Sequence, residues 1–202
     1  MVAPHLEPQQ AIDAVGDGFL AKFIAALDST REDFDTWTSA LPVGWQKDWA
    51  DRTLANVIHD RLWSHITNDI ELVPADIAIT DDGTTRTLCL NNEIGLRIKR
   101  HIDGRISGYR TKASDGFYAA TLEGLAVHNL AIGYEWIGER REIGRAVLSK
   151  QKTTGTDPLW VVSLDAGASA AMPITHQPIV PPQPEFDLTG LLGETAKEAN
   201  GR

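Results

Sequence analysis

Residues 94–112 read IGLRIKRHIDGRISGYRTK. Ile94, Leu96, Ile98 and Ile102 alternate with Gly95, Arg97, Lys99 and His101. A period of two is the mark of a strand with one buried and one wet face. Asp103-Gly104 then interrupts the alternation. That dipeptide tolerates positive φ at both positions, as a type I′ hairpin turn requires. Ile106 and Tyr109 fall on the return strand. The stretch predicts a β-hairpin, and its neighbours are read outward from it.

On the N-terminal side, Ile77 and Ile79 alternate before a turn at Asp82-Gly83, and Leu88 and Leu90 return. This predicts a meander of about four strands through the hairpin. On the C-terminal side, strands are predicted at 131–137, 143–148 and 159–164, with turns at 138–142 and 153–158. Helices are predicted where the apolar spacing lengthens to three and four. The first spans Gln9 to Leu27, with Phe19, Leu20, Phe23, Ile24 and Leu27 on one side. Ser29 with Glu32 has the spacing of a capping box and predicts a second helix to Trp37. Asp51 to Asp69 carries Leu54, Ile58, Leu62 and Ile66 every fourth residue, continued by Ile70. A central helix is predicted over Asp115 to Leu130, with Leu122, Leu125, Ala126 and Leu130 on one side. The expected fold is α+β, a mostly antiparallel sheet of about six or seven strands flanked by N-terminal helices and one central helix.

Residues 1–164 read as one domain. Residues 165–202 read as a Pro-rich linker and tail, with five prolines between Pro173 and Pro184. Phe186, Leu188, Leu191 and Leu192 form a short apolar motif in that tail, a candidate docking peptide or a plain disordered end.

Charge is uneven. Residues 1–94 hold sixteen acids and six bases, and residues 95–164 hold seven acids and eleven bases. The chain as a whole is at −9, which argues against nucleic acid as the partner. One cysteine, Cys89, between two leucines, excludes a disulfide framework and reads as a buried thiol. No secretory leader and no apolar run of membrane-spanning length is read, so a cytoplasmic setting is expected.

Six basic side chains against one acid lie within residues 97–112. Arg97, Lys99, His101, Arg105, Arg110 and Lys112 are therefore the candidate surface for an anion or an acidic protein partner. If Asp103-Gly104 is the turn, Arg97 faces Arg110, and like charges opposed across a ladder are mildly destabilising. A bound anion would relieve that. The plainer reading is a solvated strand face whose cations guard an edge against aggregation. Phe19, Leu20, Phe23 and Ile24 form a second candidate, a membrane or partner contact helped by Trp37, Trp45 and Trp49. The plainer reading packs them on the sheet.

Catalytic and metal signals are weak. Arg52 and His59 are seven apart on one helix face, a spacing that resembles the loose motif of HEPN-type ribonucleases, though that family is all-helical. His65 and Asp69 form an i, i+4 pair without further ligands. The helix, meander, helix order resembles restriction-type nucleases, yet Glu93 is followed by Ile94-Gly95 and not by the Lys such sites need. No P-loop or G-x-S-x-G is present. No cofactor or metal is expected.

A run of landmarks carries a family resemblance over residues 85–164. These are Asn91-Asn92-Glu93, Leu96-Arg97-Ile98-Lys99-Arg100-His101, Asp115-Gly116-Phe117-Tyr118, Gly133-Tyr134-Glu135-Trp136, Glu142 through Ser149, and Leu159-Trp160. The stretch resembles a family of uncharacterised actinobacterial and actinophage proteins paired with helix-turn-helix or ImmA/IrrE-type proteins, as in the RosmerTA toxin–antitoxin arrangement. The resemblance implies a toxin of a phage-defence pair, neutralised by its neighbour, with membrane damage at the inner face as the implied action. It implies no catalytic residues. A non-toxic interaction module (antitoxin, immunity or adaptor protein) is the alternative, and a nuclease or hydrolase with a site hidden from sequence spacing is the third reading.

Overall fold

The computed structural model describes residues 6–68, 70–73, 75–83, 85–108, 111–119, 128–152, 156–165 and 175–178. Four helices come first: α1 (Pro8–Val15), α2 (Asp17–Ala40), α3 (Val43–Asp48) and α4 (Asp51–Thr67). After a 3-10 turn at Ile70–Leu72 come β1 (Ile77–Asp81), β2 (Arg86–Leu90), β3 (Ile94–Ile102) and β4 (Arg105–Ile106). Then follow α5 (Lys112–Ala119), β5 (His128–Ile137), β6 (Glu142–Lys150), β7 (Trp160–Asp165) and β8 (Thr175–Pro178).

All eight strands join one sheet in the order β1-β2-β3-β5-β6-β7-β8, with β4 also on β3. Every pairing is antiparallel except β3 with β5. The fold is α+β, as the sequence pattern implies.

The alternation decides which side chains meet the helices. Leu88, Leu90, Ile94, Leu96, Ile98, Leu130, Ile132, Tyr134 and Leu148 share one core with Phe19, Leu20, Phe23, Leu27, Leu54, Ile58, Leu62 and Ile66. Burying each large apolar side chain contributes about 1.5–3 kcal/mol, so this single core dominates stability. Phe117 and Tyr118 of α5 pack with Ile106 and Ala131 in a second, smaller cluster. Trp160 Nε1 donates to Leu6 O at 2.8 Å and ties the start of the described chain to β7.

Several expectations are corrected. The first helix breaks at Gly16, whose φ of +83° lies in the left-handed region. No new helix starts at Ser29. Thr30 Oγ1 donates back to Ala26 O at 2.7 Å inside an unbroken α2, and no glycine or proline interrupts residues 19–40. Phe19, Leu20 and Phe23 are buried to 1% exposure or less, and Ile24 packs partly buried on the same core. They offer no surface to a membrane or partner. Residues 128–130 belong to β5, because Ile94–Leu96 pair with them in parallel. The predicted helix thus cannot reach Leu130; Leu122, Leu125 and Ala126 lie outside the described residues. The sheet also continues past residue 164, since β8 pairs with β7 and ends at an edge proline, a position that tolerates a missing N–H. Phe186, Leu188, Leu191 and Leu192 lie outside the described residues.

The β3–β5 seam is unusually close at one point. A Cβ on Gly133 would stand 1.7 Å from Lys99 O, so no other residue fits there. Gly133→Ala should cost more than about 3 kcal/mol, read as a lower urea midpoint. Gly116→Ala, in helix α5 with nothing within 4 Å of its Cβ, should instead stabilise by about 0.5–1 kcal/mol. Equal effects from the two substitutions would show that the seam does not have this geometry.

Candidate anion-binding cleft

The site begins with an interruption in strand pairing. On one edge of β3, β2 pairs only through Leu96, and β4 joins only at His101 and Ile102. Among the described residues no strand pairs with that edge at 97–100; Ser107 N donates to Arg100 O at 2.9 Å where β4 peels away. A cleft opens at the break. It comprises two adjoining cavities of about 540 and 550 Å³ that share Asn56, His59, Ile98, Lys99, Ser107 and Gly108. Helix α4 forms one wall; Gly83, Thr85 and Arg86 form a second, and Ser107, Gly108, Thr111 and Ser114 a third.

The walls are cationic. Arg86 is engaged: it pairs with Asp60 and with Asp81 at 3.1 Å, sits 5.6 Å over the Trp63 ring, and has an N 3.2 Å from His59 Nδ1. Arg97 stacks 3.9 Å over the Phe117 ring and donates from Nε to Thr87 Oγ1 at 3.2 Å. Such stacking suits a guanidinium better than an ammonium. Arg100 donates to Asp51 O at 3.2 Å and to Ser107 Oγ at 2.9 Å, while its buried Nε has no partner. Arg52 lines the cleft from the first turn of α4.

Lys99 is the exception in kind. Among the described residues its ammonium makes no hydrogen bond and no ion pair, and burial, then the charge of Arg97, holds its pKa below the ordinary lysine value. Lys150 shows the usual solution: it too is pulled down by burial, but its ammonium donates to Asn129 O at 2.9 Å. The Tyr134 hydroxyl, on a side chain 1% exposed, also lacks a partner, and burial raises its pKa so that it stays protonated. His59 is shifted down by burial and then by Arg86 and Lys99. A cation partly withdrawn from water without a counter-charge is costly, and a bound anion would relieve that cost.

The predicted site residues scatter. Arg97 and Lys99 meet in the cleft, and so do Arg52 and His59. His101 does not: it is fully buried and offers no surface to a partner. Its Nδ1 lies 3.2 Å from Lys99 O, which can only accept, so Nδ1 carries the hydrogen and Nε2 accepts from Ser149 Oγ at 2.9 Å. Gln151 Nε2 donates to the same Oγ. Arg105 is exposed and paired with Asp157. Lys112 is exposed at the start of α5. Arg110 lies outside the described residues, and with it the expected Arg97–Arg110 opposition. His65 binds Asp33 of α2 at 2.7 Å; Asp69 lies outside the described residues. Among the described residues no group of three or more His, Cys, Asp or Glu is placed to hold a metal.

Sequence reasoning missed Arg86 and Tyr134 as site residues, and counted Arg100 in the basic run without placing it on the apolar face. A signal existed for Arg100: it shares parity with Leu96 and Ile98, so it is a cation on the apolar face. Tyr134 shares parity with Leu130 and Ile132 and pairs with Arg100 across the seam.

Two outcomes are expected. Lys99→Met, which keeps the length of the side chain and removes the charge, should raise stability by about 1–2 kcal/mol in urea unfolding; a loss of stability would mean that the ammonium is satisfied. Acid should destabilise the fold through His101, whose pKa is depressed to about 4 from 6.5 by burial. Above 6.5 both states are neutral; as pH falls from 6.5 to about 4 only the unfolded state takes the proton, so stability drops by about 3 kcal/mol and then levels. His59, shifted the same way, adds to the fall. His101→Gln should flatten the urea midpoint across that range, and an unchanged slope would exclude His101 as the source.

No protein-family model, no curated protein and no solved structure matches this chain. Its function is read from the cleft.

Proposed function

We propose that this chain is the growth-inhibiting member of a toxin–antitoxin pair, that it acts by binding rather than by bond-breaking, and that the cleft seats an acidic group of its protein partner. The observation that carries the binding half of this reading is Lys99, a half-buried ammonium without a counter-charge, beside two buried donors that lack a partner, Arg100 Nε and the Tyr134 hydroxyl. The nearby acids do not answer it, because Asp60 and Asp81 are both engaged by Arg86. A carboxylate entering the cleft would form charge-assisted hydrogen bonds where little water competes.

The toxin half rests on the resemblance. Its landmark segments supply much of the cleft: Arg97, Lys99 and Arg100 on β3, Phe117 under Arg97, and Tyr134 on β5. Membrane action would need a surface other than α2. Among the described residues no helix is long and apolar enough to cross a membrane, and the exposed large apolar side chains are Val43 and Trp45 of α3 together with Leu72, Ile79 and Ile102. The shared placement of Arg52 and His59 favours one rival, a phosphodiester-cleaving site.

Induction of the gene alone should stop colony formation, and co-expression of the adjacent gene should restore it. Lys99→Met combined with Arg97→Ala should weaken capture of that gene product at least tenfold, about the loss expected when one side of a buried charge pair is removed. Healthy growth at confirmed expression would end the toxin reading. Arrest that begins with loss of RNA and disappears in His59→Ala would replace it with the nuclease.

A further inference from the structure

The inner half of the cleft, under α4, has a specific chemistry. Arg52, Asn56, His59, Lys99, Arg100 and Tyr134 line it, and no acid does. Three donors there have no acceptor among the described residues: Arg100 Nε and the Tyr134 hydroxyl, both buried, and the half-buried Lys99 ammonium. Tyr134 is 1% exposed, and Arg100 is held in place by Asp51 O and Ser107 Oγ, so two of the three are fixed by packing rather than free to turn to water. Buried donors are nearly always satisfied, and a cluster that is not calls for a ligand made of acceptors.

We infer that this half of the cleft binds the phosphoryl group of a small soluble phosphomonoester. The inference rests on reading the cleft as the functional site, and it names the anion. The donors come from three elements: Arg52 on α4, Lys99 and Arg100 on β3, and Tyr134 on β5. A planar carboxylate presents two oxygens in one plane. A phosphoryl group presents three in a pyramid and carries up to two charges, which suits donors arriving from several sides. A cavity of about 540 Å³ also has room for the organic part of the ester. A nucleic acid is the weaker candidate, because the chain is at −9 and the basic walls are confined to the cleft.

The test is calorimetric titration of the full chain with ribose 5-phosphate, inorganic phosphate, ribose and acetate. Ribose 5-phosphate should saturate with a dissociation constant of about 1 mM or tighter, at least tenfold below acetate, and ribose should not bind. Lys99→Met should weaken it at least tenfold, and Tyr134→Phe about fivefold, both with melting curves as cooperative as the parent. Arg105→Ala, outside the cleft, should leave it unchanged. Absence of saturation at about 10 mM, acetate as good as the ester, or indifference to both cleft substitutions would overturn the inference. Inorganic phosphate bound while the ester is refused would overturn it too. Phosphoester binding without capture of the adjacent gene product ends the protein-partner reading and keeps this one; capture by a chain that ignores the ester does the reverse.

Discussion

The structure turns on how one strand is shared. β3 is nine residues long, and along its full parallel seam with β5 it is paired from Ile94 to His101. On the other edge two short partners divide it, and residues 97–100 are left between them. The seam is what keeps β3 in place despite that loss. It brings Gly133 against the Lys99 carbonyl, fixes Gly95 against Asn129, and carries core residues on the helix side at every second position. Without so close a pairing on one edge, an interrupted strand in the middle of a sheet would fray or slip register.

Two lysines partly or wholly withdrawn from water show what the interruption does. Lys150 lies at the end of β6, where it pairs with Trp160, and a backbone carbonyl meets its ammonium. Lys99 lies at the break, where the strand that would have covered it is missing. Burial depresses both, but only one is left with an unmet charge. Leaving a buried charge unpaired costs the fold stability, and folds keep such costs mainly where a ligand or partner recovers them.

The sequence made the period-two segments, the Asp103-Gly104 turn and the α4 stripe legible, because each is a local pattern enforced by burial on one face. The turn has φ of 50° and 76° at its two residues, and Ile102 pairs with Arg105 as the turn implies. The break at Gly16 and the continuity through Ser29 were not legible, since a glycine and a capping box are permissive signals that tertiary packing decides. Nor was the parallel seam, which depends on which distant strand reaches β3 first. His101 was read as surface because its parity matches Arg97 and Lys99; that parity is right, but the face is covered there by Ser149 and its neighbours. Composition identified a basic stretch, and only the topology says which of its cations are wall and which are rim.

Parity also explains why the cleft exists at all. Arg97 and Lys99 leave β3 on one face, and Arg100 leaves on the other, beside Leu96 and Ile98. In a strand paired on both edges the sheet itself would stand between them. At residues 97–100 the outer edge is open, so side chains of both faces line the same cleft and α4 adds Arg52 and His59 from above. The described cations of this stretch are in this way sorted by the gap: Arg97, Lys99 and Arg100 converge on it, while Arg105 turns to Asp157 at the rim. A charged strand alone would be a solvated edge. The charged strand with its partner missing is one wall of a cationic cleft.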